Sequence, residues 1–319
     1  MSAALLAAAV VSTPAHAATT ITDLGALPSG GRHVATSVND AGAAVGIAYS
    51  SGVPTRGVRY DGNGGAVELV GPANADTAVE AVNSSGIAVG TTTDKSGSRA
   101  LRFNADGTHV VLPTPAGFTG AIGQAISDSG TVYGVATEGR RQVPVAWSPA
   151  GAVTAMVLPA GANGADLKDA SANGYVVGRV SGPTIPTTAV RWNPDGSATV
   201  LSGLAVDQAA WATAVNQLGE VAGAALDAGF SAWGVRWNAD GSLNKYEQGF
   251  GPTGINDHGT VVGSVVVNGD QVPVLHEKSG SRLELGFPAG DSTASAQDIN
   301  NNGVVVGSAG SRAVKWTVG

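Results

Sequence analysis

Apolar residues occur along the chain in short runs, and clusters of Gly, Asn, Asp and Ser separate these runs. This alternation is typical of β-strands joined by tight turns. One phrase recurs: a small apolar residue, Asn or Ser, two further residues, Gly, three residues and a second Gly. Its copies are Val38–Gly46, Val82–Gly90, Ile126–Gly134, Ala170–Gly178, Val215–Gly223, Ile255–Gly263 and Ile299–Gly307. The first glycines of these copies are 44, 44, 44, 45, 40 and 44 residues apart, so the chain is built from seven repeats.

Each repeat contains four strand-like runs. After the first phrase comes a second apolar run that ends at Tyr60, Phe103, Trp147, Trp192, Trp237, His276 or Trp316. A turn such as Asn193–Gly196 and one more short apolar run follow. The turn Asn39–Gly42 has the residues of a type I turn, and Gly46 lies inside a strand, where Gly indicates a bulge or a close backbone approach. Four strands in about forty residues is the spacing of a propeller blade.

The two ends of the chain predict how the ring of repeats closes. The seventh repeat ends at Gly319, after its third strand, and Ile21–Leu27 precedes the first repeat as each fourth strand precedes the next repeat. We therefore expect Ile21–Leu27 to pair with the strand around Val314–Trp316 and to cover an open edge. The prediction is all-β: a seven-bladed β-propeller with four-stranded blades, one domain over residues 18–319. An open solenoid is the alternative, but it needs capping repeats that the sequence lacks.

The repeats also carry a resemblance to a known family. Asp23–Gly46, which begins with Asp-Leu-Gly-Ala-Leu, resembles the HAF-type extracellular repeat of bacterial secreted proteins, and Asp298–Gly307 is similar to its Ile-Asn-x-x-Gly-x-Val-Val-Gly segment. The resemblance covers essentially all of residues 19–319. The His-Ala-Phe-x-Trp segment of that repeat is altered here, since Arg, Val, Thr or Trp replaces its His and Val or Leu mostly replaces its Phe. The resemblance implies export and a propeller-like fold, and it implies no particular activity.

The N-terminal residues predict secretion. Ala3–Val11 is a short apolar run, and Ala15-His16-Ala17 is a small-x-small cleavage site. Residues 1–17 are therefore interpreted as a signal peptide that is removed before Ala18, and the protein is expected to be extracellular. The apolar run is shorter than the 20 or so residues that a membrane span needs. The chain has no cysteine, which excludes thiol catalysis and cysteine-ligated metal.

Charge narrows the range of partners. Only 13% of the residues are charged and the net charge is −7, spread thinly over 319 residues. This weak negative field disfavours nucleic acid and anionic membranes as partners. We expect a monomer that binds a glycan or a protein.

Candidate catalytic groups are few. The histidines His33, His109, His258 and His276 lack metal-ligand spacing, so neither a metal nor a cofactor is expected. Asp169 and Asp298 occupy equivalent positions on the innermost strands of non-adjacent blades. Together with Glu80 and Lys168 they are expected to face the channel, where paired carboxylates would suit a glycoside hydrolase or a lyase.

Candidate binding residues fall on two loop classes that should emerge on one face: the loops that enter each first strand and the loops between second and third strands. They are Arg32, His33, Tyr49, Phe118, Arg140, Arg141, Trp211, Phe230 and Trp233. Aromatic side chains on loops of a rigid scaffold are typical recognition groups. The preferred function is a secreted module that binds a neutral glycan or a protein partner. An enzyme on this scaffold and a structural surface protein without a discrete ligand stay open, as does the possibility that Trp211 and Trp233 merely fill local gaps.

Overall fold

A computed structural model describes residues 19–139 and 141–318. The proposed signal peptide, the cleavage site before Ala18, Arg140 and Gly319 lie outside these residues. The described residues form only strands, turns and loops, and none of them forms a helix long and apolar enough to cross a membrane. The strands assemble into seven antiparallel sheets of four strands each, which confirms the predicted β-propeller.

The sheets are numbered as blades 1 to 7 in chain order. The N-terminal strand is β1 (Thr20–Asp23). Blade 1 contains β2 (Arg32–Val38), β3 (Ala44–Tyr49), β4 (Arg56–Tyr60) and β5 (Ala66–Leu69). Blade 2 contains β6 (Asp76–Val82), β7 (Ala88–Asp94), β8 (Gly97–Phe103) and β9 (His109–Val111). Blade 3 contains β10 (Gly120–Ile126), β11 (Val132–Glu138), β12 (Arg141–Trp147) and β13 (Val153–Ala155). Blade 4 contains β14 (Gly164–Ala170), β15 (Val176–Gly182), β16 (Ile185–Trp192) and β17 (Ala198–Val200).

The remaining blades repeat the arrangement. Blade 5 contains β18 (Ala210–Val215), β19 (Val221–Leu226), β20 (Ala232–Trp237) and β21 (Leu243–Gln248). Blade 6 contains β22 (Gly251–Ile255), β23 (Val261–Val267), β24 (Asp270–His276) and β25 (Arg282–Glu284). Blade 7 contains β26 (Ala294–Ile299), β27 (Val304–Ala309), β28 (Arg312–Thr317) and β1. The first strand of each blade is innermost, and these strands contact one another around a central channel.

The ring closes as the sequence predicts. Strand β1 pairs antiparallel with β28 in the register Ile21↔Trp316 and is the outermost strand of blade 7. The strand ends at Asp23 rather than at Leu27, because Gly25 has a left-handed φ of +88° and donates its N–H to Asp23 Oδ1 at 2.8 Å. Leu24 and Leu27 are nevertheless buried in the core between blades 7 and 1.

Asparagine side chains join the innermost turns of neighbouring blades. Each Asn of the repeat phrase donates its Nδ2 to the carbonyl of the equivalent residue in the next blade. The bonds are Asn39 to Asn83 (2.8 Å), Asn83 to Ser127 (3.1 Å), Asn216 to Asn256 (3.0 Å), Asn256 to Asn300 (3.2 Å) and Asn300 to Asn39 (2.9 Å). The last bond joins blade 7 to blade 1, so the repeated Asn has a structural role in ring closure.

The aromatic position that ends each third strand is core, as predicted. Trp147, Trp192, Trp237 and Trp316 are fully buried, and each indole N–H donates to a carbonyl in the loop that leads into its own blade from the preceding one, for example Trp147 to Pro113 at 2.8 Å. In blade 6 the same position holds His276, whose ring lies 4.7 Å from the ring of Phe250. Burial lowers the pKa of His276, as packing in an apolar environment requires.

Each innermost strand contains a bulge, which the strand glycines make possible. In blade 1 the register shifts between Ala35 and Ser37, opposite Gly46. A Cβ on Gly46 would lie 1.9 Å from the carbonyl oxygen of Val34, so only Gly fits there. All seven first strands carry this bulge, and it turns one extra side chain per blade towards the channel.

Candidate functional site

The predicted binding residues that the structure describes lie at one end of the propeller, which we call the entry face. It carries the loops that enter the innermost strands and the loops that join second to third strands. The residues are nevertheless spread over blades 1, 3 and 5 rather than gathered in one cluster. In blade 1, the guanidinium carbon of Arg32 lies 5.9 Å from the ring centre of Tyr49, and both side chains are exposed.

His33 does not belong to an exposed loop, as the sequence suggested. It lies in β2 with only 1% of its surface exposed. Its Nε2 accepts the N–H of Leu27 at 3.0 Å, and its Nδ1 donates to the carbonyl of Gly31 at 3.2 Å. The side chain therefore holds the N-terminal segment against blade 1, and this packing role replaces the expected role in binding.

Two further aromatic residues behave differently from each other. Phe118 is half-buried and packs against the core of blades 2 and 3, so it offers a ligand little surface. Phe230 is 73% exposed, at a loop position with a left-handed φ of +62°. Arg140 lies outside the described residues.

Trp211 and Trp233 do not form a common platform. Trp211 in β18 pairs with Ala224, which pairs with Gly234, so Trp233 projects from the opposite face of the blade 5 sheet. Trp233 stands where Arg99 and Arg312 stand in blades 2 and 7. Its indole N–H donates to Asp227 Oδ2 at 2.8 Å, and Lys245 Nζ lies 3.2 Å from its ring centre. Trp233 therefore has a full set of partners within its own blade.

Arg141 borders a groove of about 620 Å³ on the entry face, between blades 3 and 4. We call it the blade 3–4 groove; it is lined by Arg141, Gln142, Asn163, Gly164, Ala165, Asp166, Arg179, Val180, Ser181 and Thr187. Its volume falls in the range of about 300–1,000 Å³ that is usual for small-ligand sites. The side chains of Gln142, Asn163, Ser181 and Thr187 form no hydrogen bond with any other described residue.

Asp166 organises the inner end of this groove. Its Oδ2 lies 3.0 Å from Arg179 Nη2 and 3.1 Å from both Arg179 Nε and Lys168 Nζ. Its Oδ1 accepts a hydrogen bond of 3.3 Å from Gln124 in blade 3. The carboxylate is thus fully engaged by donors from two blades, and it fixes the position of Arg179.

Below the groove, the seven bulges place a ring of polar side chains around the channel. The ring consists of Thr36, Glu80, Gln124, Lys168, Thr213, Thr253 and Gln297, each three residues before the Asn or Ser of its repeat phrase. Some members bridge blades: Thr36 Oγ1 donates to the carbonyl of Val79 at 2.9 Å, and Gln124 Nε2 donates to that of Leu167 at 2.7 Å. Glu80 and Lys168 make no such bridge, so they add charge to a channel cavity of about 430 Å³.

Asp169 and Asp298 line this same cavity, one residue further along their strands than Lys168 and Gln297. Each carboxylate accepts two backbone N–H groups, one of them from the next blade: Val215 to Asp169 at 2.9 Å, and Val38 to Asp298 at 2.9 Å. Desolvation raises the pKa of Asp169 to about 6. Desolvation, followed by repulsion from Asp169, raises the pKa of Asp298 to about 7.

Glu80 borders the channel but is largely surrounded by protein, and this desolvation raises its pKa. The positive charge of Lys168 lowers the pKa of Glu80 and so partly opposes the effect. The four channel groups that the sequence singled out therefore do lie in one cavity. They do not form a metal centre: within residues 19–139 and 141–318, no group of three His, Cys, Asp or Glu side chains is placed to hold a metal ion.

Comparison with known structures identifies the same architecture elsewhere. A streptogramin B lyase superposes with a TM-score of 0.60 at 12% sequence identity, covering 94% of this chain and 98% of that one. A puromycin hydrolase complexed with PGG superposes with a TM-score of 0.62 at 16% identity, covering 88% of this chain and 50% of that one. TolB from Acinetobacter baumannii gives a TM-score of 0.56 at 12% identity, with 79% and 63% covered.

These similarities show the propeller fold and no more. No protein-family model matches the sequence, and no curated protein matches it. The function must therefore be argued from the groove and the channel themselves.

Sequence reasoning found Arg141, Asp169, Asp298, Glu80 and Lys168, and it missed most of the groove. Gln142, Asn163, Asp166, Arg179 and Ser181 occupy strand ends whose neighbours in space belong to another blade. A signal for Asp166 was present, because the six positions equivalent to it carry no charge: Val34, Ala78, Ile122, Trp211, Gly251 and Ser295. A charge that departs from the repeat marks a possible site more sharply than an aromatic residue on a loop.

Proposed function

We propose that this protein is a secreted binding module that recognises a saccharide ligand through the blade 3–4 groove, with a protein partner as the less favoured ligand. The observation that carries the proposal is the set of polar side chains that converge on the groove without internal partners. Gln142 and Asn163 each offer a donor and an acceptor, and Ser181 and Thr187 add hydroxyls. Such groups match the hydroxyls of a sugar ring.

The dimensions of the groove favour a saccharide over a folded protein. A stable protein interface buries about 1,200–2,000 Å², which needs a broad surface with a buried apolar centre. The groove is a single cavity of about 620 Å³ with few apolar side chains. We also propose that the protein is exported by its signal peptide and is a member of the HAF-type repeat family. Export would bring the groove into contact with extracellular glycans.

The first test is a glycan array, with pull-down from culture medium in parallel, using the wild type and two double variants. Gln142→Ala/Asn163→Ala removes the two side-chain amides of the groove. Trp211→Ala/Trp233→Ala removes two aromatic residues of blade 5, which is also part of the entry face. We expect the groove variant to lose at least about tenfold in affinity, since each lost hydrogen bond contributes of order 1 kcal/mol. Undiminished binding by a folded groove variant would refute the site, and a loss confined to the tryptophan variant would move it to blade 5.

A second candidate function is hydrolysis or elimination in the channel, and the interaction between Asp169 and Asp298 favours it. Two carboxylates with raised pKa values in one cavity are suited to act as proton donor and base near neutral pH. If the channel is catalytic, Asp298→Asn should abolish turnover of the saccharide but leave its binding in the groove unchanged. Turnover is measured as the release of new reducing ends when the wild type is incubated with the glycans that it binds on the array.

A further inference from the structure

The blade 3–4 groove has a charge of its own that the net charge of the chain conceals. The charged residues that line the groove are Arg141 and Arg179, which are positive, and Asp166, which is negative. The local balance is therefore one positive charge, although the chain as a whole carries −7. Because screening limits surface interactions to about 10 Å, a ligand in the groove responds to this local surplus.

Arg179 is held in position and keeps part of its guanidinium free. Its Nε and Nη2 both contact Asp166 Oδ2, at 3.1 and 3.0 Å. Its Nη1 makes no hydrogen bond or ion pair with another described residue, and the side chain is 48% exposed. The ion pair thus orients the guanidinium before a ligand arrives, which reduces the entropy that binding costs.

Arg141 is the cation most easily redirected to a ligand. Among the described residues it forms an ion pair only with Glu138, at 3.5 Å, and both side chains are more than half exposed. An exposed pair of this kind contributes little to stability, so a ligand anion competes with it readily. Arg141 begins β12 on the blade 3 side of the groove, and Arg179 faces it from β15 of blade 4.

We propose that the blade 3–4 groove binds a saccharide that carries a carboxylate, a uronic acid unit, with Arg141 and Arg179 on the carboxylate and the amides of Gln142 and Asn163 on the ring hydroxyls. The inference rests on the proposed function and specifies its ligand. It also replaces the neutral glycan that the net charge of the sequence suggested.

An acidic peptide is the competing ligand for two arginines, and the rest of the groove disfavours it. Ala165 and Val180 are the only apolar side chains larger than glycine in the lining, so no pocket accepts the side chain of a peptide anchor residue. Gly164 adds no side chain to the lining, and a Cβ built there would be in van der Waals contact with the carbonyl oxygen of Gln142, at 3.6 Å. A flat, hydroxyl-rich ring fits a shallow polar floor of this kind better than a peptide does.

The test compares acids with their esters. Oligosaccharides of galacturonate, glucuronate and mannuronate are titrated calorimetrically into the secreted chain, each beside its methyl ester, which keeps the shape and removes the charge. We expect at least one acid to bind about tenfold or more tightly than its ester and to weaken as salt is raised, because a charge-assisted hydrogen bond is roughly twice as strong as a neutral one. Arg141→Gln should remove that preference and leave ester binding within about threefold.

Arg99→Gln is the matched control, because Arg99 also lies on a third strand and pairs with an acidic neighbour, Asp94, but belongs to blade 2. It should keep the full preference for the acid. The carboxylate inference would be overturned if acid and ester bound equally, or if no uronate bound. The proposed function would still stand in that case if the wild type bound neutral glycans and the Gln142→Ala/Asn163→Ala variant did not. A Glu-rich peptide that displaces the saccharides and binds more tightly would overturn the saccharide class.

Discussion

At the residue scale, the same repeat position has different roles in different blades. Ser37, Asp169 and Asp298 are equivalent, and each accepts the N–H of a residue in the next blade: Val82, Val215 and Val38 respectively. Ala81, Ala125 and Ala214 occupy this position in blades 2, 3 and 5 and offer no acceptor. A carboxylate is therefore not required for the bond, since a hydroxyl makes it in blade 1. What the two aspartates add is charge in a confined channel.

That charge leads to a prediction about titration. Removing the carboxylate of Asp169 removes the repulsion that helps to raise the pKa of Asp298, so in Asp169→Asn the midpoint of Asp298 should fall below about 7. Carboxyl carbon shifts in NMR spectra recorded from pH 4 to 9 measure it directly. Asp195→Asn, which removes a charge from an exposed turn, should leave the midpoint unchanged; an equal change in both variants would show that the two channel carboxylates do not interact.

The same shift has a consequence for stability with a definite sign. The pKa of Asp298 is raised in the folded protein, so the folded state binds the proton more tightly than the unfolded chain does. Its contribution to the free energy of unfolding is full below about pH 4 and is lost as pH rises through about 7. Asp169 acts in the same direction, with the loss centred near pH 6.

At the element scale, the bulged first strand accounts for both the channel ring and the glycine pattern. The recurring second glycine of the phrase was predicted from sequence to mark a bulge or a close approach, and the structure has both. Which side chain the bulge exposes could not be predicted, because a single register shift moves every later side chain to the other face. Once the bulge is placed, the polar ring from Thr36 to Gln297 follows from sequence alone.

Gly178 tests this account in the blade that carries Asp166, Lys168 and Asp169. A Cβ there would lie 2.2 Å from the carbonyl oxygen of Asp166. We expect Gly178→Ala to lower the free energy of unfolding by about 1–3 kcal/mol, as overpacking a rigid core does. The same substitution should lower the affinity of the groove for its ligand. Chemical denaturation and calorimetry measure the two effects.

Gly251→Ala is the control for this substitution. Gly251 also lies in an innermost strand, has no left-handed φ, and its added Cβ would approach only Ser264 O, at 3.8 Å. Its stability should change by less than about 0.5 kcal/mol. Similar losses in the two variants would mean that the close approach at Gly178 is not what requires glycine.

At the scale of the whole molecule, the sequence predicts the architecture far better than the site. Seven repeats, tight turns and a displaced fourth strand determine the number of blades and the closure, because each is a local pattern that repeats. The groove arises where Gln142 of β12 meets Asn163 beside β14, and such a meeting depends on how two blades pack. His33 shows the same limit: the sequence analysis assigned it to a loop of the binding face, but it is buried in β2, where its Nε2 accepts the N–H of Leu27.

Ring closure is the feature on which the whole molecule depends, and β1 provides it. Deleting residues 19–27 removes the partner of β28, exposes a strand edge and strips Leu24 and Leu27 from the core between blades 7 and 1. Burial of each leucine is worth about 1.5–3 kcal/mol, so we expect a Tm lower by several degrees or more, together with aggregation. A chain that begins at residue 19 is the length control and should keep the Tm of the chain that begins at Ala18. Leu24→Ala separates lost packing from lost strand pairing: it should lower the Tm but keep the protein monodisperse, because β1 still covers the edge. Thermal melts with light scattering distinguish these outcomes, and an unchanged Tm with monodisperse protein after the deletion would show that the propeller does not need β1 to close.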